Sequence, residues 1–125
     1  MDYKELYRIA IKAAENSYAP FSKFRVGAAL LTKDGEVFTG VNVENSSYGA
    51  TICAERTTFT KAISEGKREF TAIAITGNGK TAWPCGICRQ FMYEFGSDLV
   101  VITGEDEAHL EIMKLSELLP HGFTL

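Results

Sequence analysis

The three cysteines constrain this chain more than any other feature. Cys53, Cys85 and Cys88 are its only thiols, and an odd number cannot close into a pure disulfide framework. Cys85-Gly86-Ile87-Cys88 is a Cys-x-x-Cys, a spacing that zinc sites, redox sites and chance all produce. Position narrows it. Pro84 and Cys85 open a predicted helix over about 86–95, and Cys53 opens another over about 53–65. Helix N-termini favour thiolates. Two such starts aimed at one point gather three negative sulfurs, and three anions demand a cation. Zinc accepts thiolate sulfur readily. On that reading the fold brings residue 53 to residues 85–88.

The rest of the pattern says how. Residues 2–18 read as a helix, with Tyr3, Leu6, Tyr7, Ala10, Ala13, Ala14 and Tyr18 at helical spacing and Pro20 just beyond. Residues 25–32 and 36–43 read as strands around Lys33-Asp34-Gly35, and Asp-Gly between apolar runs is a strong hairpin signal. Thr51 is the expected N-cap of the second helix, and Gly66 its stop. Residues 70–76, 99–103 and 110–115 read as three further strands. The link between the last two, 104–108, is too short for a helical crossover, so that pair is expected to be antiparallel. The order α-β-β-α-β-α-β-β predicts an α/β fold, a three-layer α-β-α arrangement on a mixed five-stranded sheet. A length of 125 residues suits one domain, 1–125.

Charge and composition remove several function classes. The net charge of -3 leaves no broad basic surface for phosphate backbones, which argues against nucleic acid as partner. A hydrophobic share of 46% with only 23% charged residues excludes a disordered chain. Asp2, Lys4, Glu5 and Arg8 break up any secretory signal at the N-terminus. The longest apolar stretches, such as 26–31, are too short to span a bilayer. The expectation is a cytoplasmic protein with no membrane partner, and a reducing compartment favours metal binding or catalysis at the cysteines.

A structural zinc site is normally closed by a fourth protein ligand. No fourth cysteine exists here, and His109 and His121 show no ligand spacing to the other three. Three ligands and an open position describe a catalytic zinc with water in the fourth place, which brings the water pKa from 15.7 towards about 7. Glu55, two residues past Cys53, can reach that water without being a ligand and move its protons. Three thiolates overcompensate the zinc charge by one. Arg56 is the candidate for hydrogen-bonding the sulfurs and offsetting that excess.

Cys53-Ala54-Glu55 followed by Pro84-Cys85-Gly86-Ile87-Cys88 resembles the zinc signature of the cytidine deaminase superfamily, with cysteine in place of its histidine. The all-cysteine form is similar to the small homotetrameric, zinc-dependent cytidine deaminases. The likeness covers nearly the whole chain, including residues 18–30, Asn42-Val43-Glu44-Asn45 and Cys88-Arg89-Gln90. It implies hydrolysis of cytidine or 2′-deoxycytidine to uridine or 2′-deoxyuridine and ammonia, in pyrimidine salvage. It implies one zinc per chain on Cys53, Cys85 and Cys88, with Glu55 protonating N3 and then helping ammonia leave. Phe24 would pack on the base, the Ala54 backbone would read the base edge, and Asn42 and Glu44 would hold ribose hydroxyls. Tyr48 would lie near a subunit contact, and Phe123 would close the pocket of a neighbouring subunit.

Blander readings stand beside these. The cysteines could be small buried residues, Glu55 a first-turn acid on the helix dipole, and Phe24 and Tyr48 plain packing. Trp83 either lines the site or covers the loop. Rival functions are a deaminase of another amino-heterocycle (the blasticidin type), a nucleic-acid editing enzyme, a non-catalytic zinc-stapled module, and a thioredoxin-type redox protein. The Asn42-x-Glu44 pair suits a free nucleoside. The redox reading leaves Cys53 and Glu55 without a task.

Overall fold

The structure is a computed structural model describing residues 1–125. Its helices are α1 (Tyr3–Ala13), α2 (Ala54–Ser64), α3 (Gly86–Tyr93) and the single-turn α4 (Leu115–Leu118). Its strands are β1 (Val26–Thr32), β2 (Val37–Val41), β3 (Phe70–Gly77), β4 (Val100–Gly104) and β5 (Leu110–Lys114). They form one five-stranded sheet in the order β2-β1-β3-β4-β5. Only β3 and β4 run parallel; β4 and β5 are antiparallel, as the short link between them requires.

The two faces of the sheet are built differently. Alternate residues of β1 and β3 point to opposite sides. Ala29, Leu31, Ala72 and Ala74 join Leu6, Tyr7 and Ala10 of α1 in one buried cluster. Three of those four sheet residues are alanine, so α1 can lie close. Asp2 caps it, accepting from the Lys4 backbone N–H at 2.9 Å. On the other face Leu30, Ile73 and Ile75 meet Ala54, Phe59 and Ala62 of α2 and Cys88 and Met92 of α3. This is the three-layer arrangement the element order predicts.

Phenylalanines fix α2 against α3. Phe59 stacks on Phe95 with centroids 5.8 Å apart and meets Phe70 edge-on at 4.9 Å and Phe91 at 6.4 Å. Such pairs add about 0.5–1.5 kcal/mol each beyond their buried area. Because the rings hold the two helix bodies, they also set where the two N-termini meet.

Two element ends differ from the periodicity reading. The first helix stops at Ala13 and tightens into a 3-10 turn over Ala14–Asn16. Tyr18 is drawn off instead into a bridge with Val43, and its backbone N–H donates to the Asn42 carbonyl at 3.1 Å. β2 ends at Val41 because Asn42 turns its side chain back to the chain at Phe24 and Val26. The Asp-Gly hairpin forms as expected, with Gly35 at φ +92°, a conformation glycine adopts without strain. No helix is long and apolar enough to cross a membrane.

Candidate active site

The cysteines occupy the two positions where helices normally carry a capping oxygen. Cys53 is the N-cap of α2 and Cys85 the N-cap of α3, and neither side chain makes a capping bond. Thr51 is therefore not the cap; its hydroxyl accepts from the Asn45 backbone N–H at 3.1 Å, because the helix begins two residues later than a threonine cap would place it. Each helix opens with backbone N–H groups unpaired by its cap residue and with a sulfur beside them, an arrangement that favours thiolate. Cys88 follows one turn into α3, fully buried.

The three Sγ atoms lie within 4.8 Å of one another, and those of Cys53 and Cys85 are 3.9 Å apart. Two sulfurs on a tetrahedral zinc, each at about 2.3 Å, would be ~3.8 Å apart. The donor set therefore fits zinc in its chemistry, and the Cys53–Cys85 pair fits it in spacing. Hydrogen bonding from the Cys88 thiol, with help from Arg56, lowers the Cys53 pKa to about 5. Cys88 is pushed the other way by its hydrogen bond to Cys53 and by burial. The lowered pKa favours a thiolate at Cys53, and a bound cation would draw the remaining thiol protons from the cluster. His109 is remote in role, paired with Asp106 at 2.8 Å on an exposed turn.

Glu55 sits in the first turn of α2, only 4% exposed. Burial lifts its carboxyl pKa to about 7, with the Cys53 charge adding to the effect while its own backbone N–H and Arg56 oppose it. A carboxyl near neutrality can both take and return a proton at working pH. The Arg56 guanidinium reaches the Cys53 sulfur at 3.6 Å through Nη2. This is the contact anticipated from the charge of three thiolates.

Beside the sulfurs opens a cleft of about 290 Å³. Its wall includes Phe24, Asn42, Glu44, Ala54, Glu55, Cys53 and Cys85, which the sequence assigns to the site, Trp83, for which the sequence leaves two readings open, and Ser22 and Ile75, which it does not mark. Trp83 is thus a wall residue. Apolar walls with a few polar groups suit a small aromatic ring. A larger depression of about 460 Å³ is lined by Lys33, Asp34, Gly66, Lys67, Arg68 and Glu69, with no apolar wall for such a ring.

The polar groups of the cleft are held by local hydrogen bonds. The Glu44 carboxylate accepts from the backbone N–H groups of Phe21 at 2.9 Å and Ser22 at 3.1 Å, and from the Ser22 hydroxyl. The Ser22 hydroxyl bond, more than any other contact, holds its pKa below the ordinary carboxylate range. The Asn42 amide accepts from the Val26 N–H at 2.9 Å and the Ser17 hydroxyl, and donates to the Phe24 carbonyl at 2.7 Å. One N–H of its NH₂ group remains for a ligand. Asn42 therefore also fixes the strand entry that carries Phe24. Phe24 is 42% exposed, and its ring lies where a side chain on Gly77 would be.

Two of the candidate substrate-binding residues are not gathered into this cleft. Tyr48 is 85% exposed on a 3-10 turn, and Phe123 is 63% exposed in the C-terminal tail. Both project apolar surface outward from the chain.

Residues 1–103 match the family model for the cytidine and deoxycytidylate deaminase zinc-binding region. The chain is 49% identical to a cytidine deaminase of Halalkalibacterium halodurans, over 99% of this chain and 96% of that one. It is 49% identical to a probable cytidine deaminase of Dictyostelium discoideum, over 99% of this chain and 87% of the relative. Among solved structures, the cytidine deaminase of Burkholderia pseudomallei superposes with a TM-score of 0.92 at 45% identity, covering 98% of this chain and all of that one.

Proposed function

The chain belongs to the cytidine and deoxycytidylate deaminase family, and from that premise we propose how its own residues carry out the reaction. It is a hydrolytic deaminase acting on cytidine: cytidine and water give uridine and ammonia. We extend the substrates to 2′-deoxycytidine and the setting to pyrimidine salvage in the cytoplasm. The observation that carries the mechanism is the meeting of three sulfurs at two uncapped helix starts, with a buried carboxyl beside them and no fourth protein ligand.

Cys53, Cys85 and Cys88 would hold one zinc. Bound there, zinc would supply the Lewis acidity that makes water a nucleophile near neutral pH. Glu55 takes a proton from the attacking water and delivers it to N3 of the pyrimidine. It then carries the second proton to the amino group, which leaves C4 as ammonia. Burial suits Glu55 to both steps, since it keeps the neutral and ionised forms close in energy. Arg56 offsets the third thiolate. Phe24 packs on the base, the backbone at Ala54 reads its edge, and Asn42 and Glu44 hold the ribose hydroxyls. The Ser22 hydroxyl and backbone donors, with the nearby Lys23 charge, favour the ionised form of Glu44.

The exposed rings of Tyr48 and Phe123 support a homotetramer in which Tyr48 lies near a subunit contact and Phe123 closes a neighbouring subunit's pocket. The acidic chain and the nucleoside-sized cleft favour a free small-molecule substrate over nucleic acid.

The test is absorbance-monitored turnover of cytidine, 2′-deoxycytidine, blasticidin S and a cytosine-bearing oligonucleotide, each with and without a zinc chelator. Turnover of the two nucleosides, lost on chelation and restored by zinc, is the expected result. Activity confined to the last two substrates would overturn the substrate assignment.

A further inference from the structure

The C-terminal segment is fastened to the helix that carries Cys88. Arg89 donates from Nε to the Pro84 carbonyl and from Nη1 to the Leu118 carbonyl, both at 2.7 Å. One guanidinium thus joins the loop before Cys85 to the start of the tail. Gln90 grips the tail farther on. Its Nε2 donates to the Phe123 carbonyl at 2.8 Å, and the Phe123 N–H points back to its Oε1 at 3.4 Å. Gly122 lets the backbone lie flat between them, since a Cβ there would come within 2.7 Å of the Tyr93 ring.

Terminal residues are poorly ordered unless something ties them down. Gln90 ties this one through the main chain, copying the paired N–H and C=O bonds by which one strand residue holds another. The grip satisfies the Phe123 backbone and leaves its ring facing outward. An apolar ring held in a fixed, exposed place is suited to contact beyond its own chain.

We propose that Gln90 is a positioning residue for Phe123, pairing with its backbone to fix where the ring is presented to the pocket of a second copy of the chain. This rests on the reading that Phe123 closes a neighbouring pocket, and adds what holds the ring in place. Arg89 is the wrong probe for it, because it also supports the Cys85 loop.

The test is steady-state cytidine kinetics on the zinc-loaded protein, with zinc content and melting temperature measured for each variant. Gln90→Met keeps the volume and removes both hydrogen bonds; Gln90→Glu keeps the acceptor and carries the same test should the first fail to fold. Phe123→Ala is expected to raise KM about tenfold. Gln90→Met should raise it ~3–10-fold with kcat within about twofold and zinc unchanged, and Gln90→Glu by less. The double variant should be no worse than Phe123→Ala, since positioning has no value without the ring. Unchanged KM in both Gln90 variants, beside a raised KM in Phe123→Ala, overturns the proposal and leaves the Phe123 reading standing. Unchanged KM in Phe123→Ala overturns that reading and the proposal with it. Multiplying effects, or loss of zinc in the Gln90 variants, would make Gln90 a support of α3 and overturn the proposal as well.

Discussion

The sulfur end of the cleft and the exposed rings outside it are built on opposite principles. At the sulfur end every group comes from one chain and is locked by that chain's own core. Cys53 and Cys85 stand at helix starts whose bodies are fixed by the phenylalanines between α2 and α3. Glu55 and Cys88 are buried. Tyr48 and Phe123, by contrast, are exposed and do not line the cleft. Between them lies a middle zone, Phe24, Asn42 and Glu44, held by hydrogen bonds from loop and strand ends. The difference teaches where each task belongs. Bond-making needs groups held to fractions of an ångström by a rigid core.

The comparison can be broken or sharpened by three substitutions. Cys88→Ser attacks the sulfur end. It should lower cytidine turnover by ~10³-fold or more and reduce zinc content well below one per chain, read by metal analysis on the purified protein. Retention of both zinc and turnover would show that the sulfur end is not the reacting end. Glu44→Gln attacks the middle zone, and a KM increase of roughly 10–100-fold with zinc unchanged is expected. Its pH dependence follows from the sign of its shift. A carboxylate whose pKa is held below the usual range contributes fully above that range. The ratio of KM in Glu44→Gln to that of the parent should therefore stay constant from neutral pH down to the ordinary carboxylate range and shrink only below it, since Glu55 titrates in both. A ratio that already shrinks near neutrality would assign the ribose contact to some other group. Phe24→Leu is the mildest. It removes ring stacking but keeps an apolar wall, so KM should rise only ~3–10-fold with kcat nearly unchanged. A kcat collapse there would mean the ring supports the sulfur end after all.

Much of this was legible in the chain itself, for identifiable reasons. The metal cluster was readable because its signal is local: cysteine, one residue, glutamate at one helix start, and proline before a Cys-x-x-Cys at another. The hairpin at Lys33-Asp34-Gly35 and the antiparallel last strands were readable from turn chemistry and loop length. Periodicity could not show that Tyr18 leaves the first helix, because a bridge to Val43, remote in sequence, takes it away. Thr51 reads as a cap by residue type, yet the cap positions are given to cysteines, a local preference yielded to function. Ser22 and Ile75 come to the cleft wall from separate elements, and no spacing in the sequence marks them; Trp83, next to Pro84-Cys85, is marked by its position but not by its role. The second task of Asn42, fixing the Phe24 strand entry, appears only once its three hydrogen bonds are seen.

The central claim is that the cysteines hold the metal and Glu55 moves the protons. Glu55→Gln tests it most directly, because it keeps the side chain's shape and removes only the acid. Zinc content and cytidine turnover are to be measured on the same preparation. The account predicts about one zinc per chain and turnover reduced by at least ~10³-fold. Near-parental turnover with zinc retained would contradict it, since some other group would then have to move the protons.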